Sequence, residues 1–168
     1  IVPGPEGDNA FGFNGISDIV VPHDSSLNVG TSDFSIDLWV RQDPGAIVGV
    51  RTMIDKRIYP GNWLGYVIYS QDGKPSIQLS GGVGGTGYSN FSASQPVLSD
   101  GEWHHIIFTV DRDNPVGVVF YIDGVADSAT FDPTTYTGSL DNPSVFRIGR
   151  RNDLVSNWTG DLDRIHLY

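Results

Sequence analysis

Short apolar and alternating runs recur along the chain between turn-forming residues. In the segment FSIDLWV, Phe34, Ile36, Leu38 and Val40 fall on one face of an extended chain and the residues between them fall on the other. No apolar period of 3.6 residues persists over several turns, so the pattern predicts strands rather than helices. The predicted strands are Ile19 to Val21, Phe34 to Arg41, Leu64 to Tyr69, Ser76 to Ser80, His104 to Asp111, Val118 to Ile122, Phe146 to Gly149 and Asp161 to Tyr168.

The last of these runs does not separate cleanly into a polar and an apolar face. Such a pattern suits a strand that begins in a loop and ends in the core, which predicts Ile165 and Leu167 as its buried residues. Two hairpin turns are predicted at Asp72-Gly73 and Asp123-Gly124, because Asp-Gly between apolar runs is a strong two-residue turn signal.

Longer loops are predicted wherever Gly, Pro, Asn, Asp or Thr accumulate. The most glycine-rich, SGGVGGTG, is followed by a strand-like run rather than a helix, which argues against a phosphate-binding loop. The predicted loops are Asp43 to Val50, Arg57 to Trp63, Ser80 to Gly87, Asp132 to Pro143 and Arg150 to Asn157.

Composition strengthens the all-β prediction. Of the 20 acidic residues only Glu6 and Glu102 are glutamate, and the chain has 21 Gly and 10 Pro, a composition that favours turns over helices. With 168 residues, no internal repeat and no long linker, the chain is predicted to form one domain, 1–168, with 1–9 as a linker or leading segment. Short strands with frequent turns predict a sandwich or barrel.

Charge and cysteine content exclude several classes of function. A formal net charge of -10 opposes binding to nucleic acid, and no apolar stretch is long enough to insert into a membrane. With no cysteine, there is no disulfide framework, thiolate metal site or cysteine nucleophile.

Five blocks of sequence carry a family resemblance. They are AFGFNGISDIVVPHDSSLNVGTSDFSIDLWVR, GYVIYSQDGKPSIQL, DGEWHHIIFTVDR with VVFYIDGV, FRIGRR and WTGDLDRIHLY. In these blocks, and in their order, the sequence resembles the laminin-G-like, pentraxin-like group of the concanavalin A-like lectin/glucanase superfamily. The resemblance implies a jelly-roll sandwich of two curved antiparallel sheets, ligands on a concave face or on rim loops, and often a calcium ion. It also implies a module of a larger protein that is extracellular or on a cell or virion surface.

Enzymatic motifs known from the wider superfamily and from hydrolases are missing. The glucanase pattern Glu-x-Asp-x-(x)-Glu, the nucleophile elbow G-x-S-x-G and the zinc motif HExxH do not occur, and the four histidines lack zinc-ligand spacing. The chain is therefore predicted not to be an enzyme.

The aspartate excess favours calcium, which takes six to eight oxygen ligands. In similar proteins one structural calcium bridges the early F-N-G segment and the start of the last strand. The resemblance therefore implies Asp18, Asp161 and Asp163 as the ligands. Aspartates that cap turns on a soluble acidic surface would explain the same composition.

A sugar site needs an exposed aromatic ring with planar donors and acceptors around it. The predicted ligand-binding residues are Arg57, Trp63, Arg150, Arg151 and Asn152 in the rim loops, with Tyr66, Tyr88 and Trp158 as further candidates. The fold implied by the resemblance could bring two basic pairs, Lys56-Arg57 and Arg150-Arg151, close together. Such a cluster favours an acidic sugar, although ion pairing with the surplus aspartates explains it as well.

Two functions remain open. The first is a non-catalytic carbohydrate-binding module with a structural calcium ion, serving in targeting or adhesion and binding an oligosaccharide or polysaccharide. The alternative is a domain that binds a protein partner, or a spacer in a larger adhesin, virion or receptor.

Overall fold

The computed structural model describes residues 1–81 and 87–168, and its regular structure is almost entirely β. Three short 3-10 helices cover Ser25–Leu27, Pro44–Ala46 and Val97–Ser99. The strands are β1 Val2–Pro3, β2 Asn9–Asn14, β3 Ile19–Val21, β4 Phe34–Gln42, β5 Val50–Arg57, β6 Gly65–Gln71, β7 Lys74–Ser80, β8 Tyr88–Ser92, β9 His104–Val110, β10 Val118–Ile122, β11 Val125–Phe131, β12 Phe146–Ile148 and β13 Thr159–Leu167.

The strands form two antiparallel sheets. One has seven strands in the order β1-β2-β13-β4-β9-β10-β11, and the other has six in the order β3-β12-β5-β6-β7-β8. Sequence neighbours are often not sheet neighbours, as in the placement of β13 between β2 and β4, which is the mark of a jelly roll. The predicted all-β sandwich is confirmed. Among the described residues no helix is long and apolar enough to cross a bilayer.

The core lies between the two sheets and follows the alternation in the sequence. In β4, Phe34, Ile36, Leu38 and Val40 are buried, while the intervening residues are only partly buried. This inward face packs with the apolar residues of the six-stranded sheet into one cluster. Alternation therefore set the register of the central strand, since a slip of one residue would move this whole apolar set to the outside.

Both Asp-Gly turns form as predicted. Gln71 pairs with Lys74 across one turn and Ile122 with Val125 across the other, so each loop has two residues. Asp72 and Gly73 have φ of 52° and 82°, and both residues of the second turn are also left-handed. This is the geometry of a type I′ hairpin, for which Asp-Gly is favoured.

The last strand departs from simple alternation. Its pairing with β4 shifts register between Asp163 and His166, and Arg164 has a φ of 47°. The bulge adds one residue, so Leu162 and Ile165 both reach the core although they are three positions apart. Ile165 and Leu167 pack against the core as partly buried residues, as the sequence predicted.

The leading segment 1–9 is not a free linker. Val2 pairs with Ala10 as β1 extends the seven-stranded sheet, and Arg164 forms ion pairs with Glu6 at 2.6 Å and Asp8 at 2.7 Å. The predicted loop Ser80 to Gly87 lies mostly outside the described residues.

One histidine ties a turn to the seven-stranded sheet and makes stability depend on pH. His104 Nδ1 lies 2.8 Å from the Asp123 carboxylate, and Nε2 lies 3.2 Å from that of Asp100. Burial by itself would lower the pKa of His104, but these hydrogen bonds and the two negative charges outweigh it and raise the pKa above 6.5. Folding therefore favours the protonated ring.

We expect this contribution to be complete below pH 6.5 and to be lost as the pH rises through the raised pKa of the folded state. Urea unfolding between about pH 6 and about pH 9 should show the stability difference between wild type and His104→Gln shrinking with rising pH. A difference that stays constant or grows over this range would contradict the assignment.

Candidate functional site

A groove of about 330 Å³ lies on the outer face of the six-stranded sheet. Its floor is formed by Val67, Tyr69 and Gln78, which alternate with core residues along β6 and β7. The residues around this floor belong to the end of β5 and the loop after it, to strand β8 and to the loop after β12: Arg57, Trp63, Tyr88, Asn90 and Arg151. Four segments distant in sequence thus meet at one concavity.

A buried ion pair organises one side of the groove. Asp55 and Arg57 are two residues apart on β5, and their side chains are only 1% and 3% exposed. The guanidinium donates Nε to Asp55 Oδ1 at 2.8 Å and Nη2 to Oδ2 at 2.9 Å. Its Nη1 donates to Gln78 Oε1, and Gln78 Nε2 donates to Asn90 Oδ1 at 2.7 Å. The network thereby crosses from β5 to β8 and fixes the amides that line the groove.

The same ion pair anchors the loop that follows β12. The backbone N–H of Asn152 donates to Asp55 Oδ2 at 2.9 Å, and its Nδ2 donates to the backbone carbonyl of Arg57 at 2.9 Å. Asn152 was predicted to contact ligand. Its hydrogen bonds instead position the loop that carries Arg151.

Trp63 stands at the rim in a strained backbone conformation. Its φ is 62°, a left-handed value that is rare for a bulky side chain. The indole is held by the guanidinium groups of Arg57 and Arg151, whose central carbons lie 4.9 and 5.4 Å from the ring centre, and by an edge contact with Tyr59. These cation–π contacts hold the ring in place at the groove.

Arg151 is also paired with a carboxylate. Its Nε donates to Asp153 Oδ1 at 2.7 Å, and Nη2 donates to the other oxygen. Burial would raise the pKa of Asp153, but the bonds from Arg151 and the Val155 amide, with the charges of Arg151 and Arg57, lower it instead. Asp153 is therefore ionised at neutral pH.

The aromatic residues of the groove differ in exposure. Tyr88 is 45% exposed, whereas Tyr69 is 5% exposed on the floor. Burial raises the pKa of Tyr69 to about 12, against hydrogen bonds to Ser92 and Ser76 and the charge of Arg57. Tyr69 therefore stays a neutral phenol, and Tyr88 is the ring most open to a ligand.

Two predicted ligand-binding aromatics lie in the core instead. Tyr66 is 1% exposed, and its hydroxyl donates to the backbone carbonyl of Leu27. Trp158 is fully buried in the cluster between the sheets. Successive side chains in β6 point to opposite faces of the sheet. Tyr66 therefore points into the core, whereas Tyr69, three residues later, points outward to the groove.

The two basic pairs do not form one cationic cluster. Lys56 is fully buried and faces the core side of β5, where its ammonium donates to the carbonyls of Asn142 at 2.8 Å and Ser144 at 2.7 Å. Arg150 turns away from the groove and donates to Asn157 Oδ1 at 3.0 Å. Of these four basic residues, Arg57 and Arg151 line the groove, so two cationic side chains and not four are available to favour an acidic ligand.

The residues implied as calcium ligands do not form one cluster of carboxylates in the structure. Asp18 is bonded to Arg147 and Asp161 to Arg41, and neither joins Asp163 in a three-carboxylate group. In the described part of the chain, one such group has its oxygens within 4.8 Å of each other, formed by Asp33, Asp111 and Asp113.

Sequence reasoning missed several groove residues. Tyr69, Gln78 and Asn90 lie on outward positions of strands, where they were not distinguished from surface residues. Asp55 and Asp153 are each two residues from an arginine on the same segment. An Asp-x-Arg spacing in an extended strand places both side chains on one face, and this was the available signal for Asp55. Arg151 and Asp153 lie in a turn instead, closed by the hydrogen bond from the Leu154 N–H to the Arg151 carbonyl.

The sequence from 14 to 168 matches the family model Laminin_G_3 of the concanavalin A-like lectin/glucanases superfamily. The chain belongs to this family. The resemblance inferred from the five sequence blocks is thereby confirmed. No curated protein matches the sequence.

Three solved structures share this fold at low sequence identity. The binding domain of Paraclostridial Mosquitocidal Protein 1 superposes with a TM-score of 0.73 at 20% identity, over 99% of this chain and 41% of that one. The Ruminococcus gnavus IT-sialidase CBM40 bound to alpha2,3 sialyllactose has a TM-score of 0.68 at 9% identity. The match covers 96% of this chain and 90% of that one. The binding domain of Botulinum neurotoxin DC in complex with rat synaptotagmin II has a TM-score of 0.62 at 18% identity. The match covers 90% of this chain and 36% of that one. This laminin-G family member therefore spans less than half the length of the two toxin chains.

Breaking the buried ion pair should be far more costly than breaking the partly exposed one. Arg57→Met leaves the Asp55 charge buried and unpaired, and should lower the free energy of unfolding by about 3 to 5 kcal/mol. The Arg151 side chain is 24% exposed, so Arg151→Met should lower the free energy of unfolding by only about 1 kcal/mol. Urea unfolding of the two variants at pH 7 measures both losses of stability. Equal losses in the two variants would show that the Asp55–Arg57 pair does not organise the site.

Proposed function

We propose that this domain is a non-catalytic carbohydrate-binding module that takes its ligand in the groove on the six-stranded sheet. The observation that carries the proposal is the groove itself, in which an open tyrosine ring, an indole and a chain of side-chain amides converge. Sugars are bound in this manner, with apolar ring faces against aromatic side chains and hydroxyls against planar polar groups.

The groove is also preorganised for binding. Gln78 is held between Arg57 and Asn90, so its amide is oriented before a ligand arrives. Less side-chain freedom then remains to be lost on association. A rigid, open groove of this kind suits a binding module of modest affinity.

The related structures support a binding role. One is a carbohydrate-binding module with sialyllactose, and two are binding domains of toxins. We infer that this chain acts outside the cell or on a cell or virion surface, as one module of a larger protein with a targeting or adhesion role. Its family membership and its coverage of 41% of the mosquitocidal chain support this inference.

A protein ligand is the second candidate. Strand β8 is an edge of the six-stranded sheet and borders the groove, so a peptide could pair with its free side while reaching the same cavity. The binding domain of Botulinum neurotoxin DC, of which 36% matches this chain, was solved in complex with rat synaptotagmin II.

The Tyr88 ring gives a direct test of the carbohydrate role. A glycan array followed by calorimetry should detect sugar binding, and Tyr88→Ala should weaken it about threefold to tenfold through loss of the stacking surface. Tyr168→Ala, an equally drastic change at a 72% exposed tyrosine away from the groove, should leave affinity unchanged. Folded protein that binds no glycan on the array would overturn the proposal and favour a protein ligand.

Calcium stays a separate prediction with no ligand set assigned to it. If the domain holds a structural calcium ion, thermal melting with millimolar calcium should give a higher Tm than melting in chelator, because ligand binding to the folded state stabilises it. Identical melting curves under the two conditions would contradict the prediction.

A further inference from the structure

The charges that line the groove cancel in pairs. The two cationic side chains in its lining are Arg57 and Arg151, and each is held by both oxygens of an aspartate. The other described residues of the lining are uncharged. The bidentate geometry that an arginine would offer to a sugar carboxylate is therefore already taken.

An anionic ligand would also approach against the field of the whole molecule. The chain carries a formal net charge of -10, and the groove holds no excess cation among the described residues to offset it. A charged sugar would have to lose its hydration without gaining a free guanidinium. An uncharged sugar meets neither cost.

We propose that the groove selects uncharged sugars and that Asp153 is the residue that enforces this selection. The inference rests on the proposed carbohydrate-binding function and specifies the class of its ligand. Asp153 occupies the fork of Arg151 and so excludes a carboxylate from the one guanidinium that a ligand could reach.

Asp55 and Asp153 belong to ion pairs that differ in burial, and the two aspartates therefore have different roles. Asp55 and Arg57 are almost fully buried and connect three strands and a loop, so their pairing serves the fold. Arg151 is 24% exposed at the rim, and Asp153 is 7% exposed beneath it. The lowered pKa of Asp153 keeps the carboxylate ionised across the neutral range.

The test removes one charge without changing the shape of the side chain. Wild type, Asp153→Asn and Asp161→Asn are compared on an array that pairs neutral oligosaccharides with their sialylated or uronate-containing counterparts. Asp161→Asn changes the net charge equally but lies on the other sheet, where Asp161 pairs with Arg41. Thermal melting of each variant shows that it is folded.

Wild type should bind neutral glycans at least tenfold more tightly than their acidic counterparts. Asp153→Asn should gain about threefold to tenfold in affinity for acidic glycans, because a charge-assisted hydrogen bond from Arg151 becomes available. Asp161→Asn should show no such gain. Wild-type binding of acidic glycans as tight as that of neutral ones would overturn the inference and leave the carbohydrate role intact. An equal gain in both variants would also overturn it, whereas loss of all glycan binding would remove the proposed function itself.

Discussion

The buried ion pair between Asp55 and Arg57 is the constraint on which the outer face of the six-stranded sheet depends. Two opposite charges placed on one face of a strand, away from water, must satisfy each other and fill their remaining hydrogen-bonding positions. Gln78 and the Asn152 amide supply those partners, and Asn90 extends the chain. The pair therefore dictates where β8 and the loop after β12 lie, and the groove is the space that they leave.

The fold could be predicted because its main strands obey alternation and its turns carry specific chemistry. β3 and β10 begin and end at the predicted residues, and both Asp-Gly hairpins form. β5 was missed, since its sequence VRTMIDKR ends in three charged residues that resemble a surface loop. Those residues are instead buried, with Lys56 inward and Asp55 and Arg57 outward, and such mutual satisfaction of charges cannot be read from one strand alone.

The candidate site was predicted only in part for the same reason. The resemblance implied that the segments carrying Arg57 and Arg151 could come close together, and the structure places both residues at the groove with Trp63 and Tyr88. Adjacent basic residues were treated as one patch, although neighbours in an extended segment point in opposite directions. Asp18 and Asp161, implied as metal ligands, are each matched to an arginine from a distant strand. Such long-range pairings depend on sheet order, which composition and spacing do not contain.

The internal pairing of charges in the groove also bears on where such a domain could work. Salt screens attraction between separate charges in solvent, but it acts little on ion pairs that are already closed and partly buried. A groove whose charges cancel within a few ångströms has almost no long-range attraction to lose when ionic strength rises. Contacts made there with an uncharged ligand would have nearly the same strength in dilute fresh water and in brine.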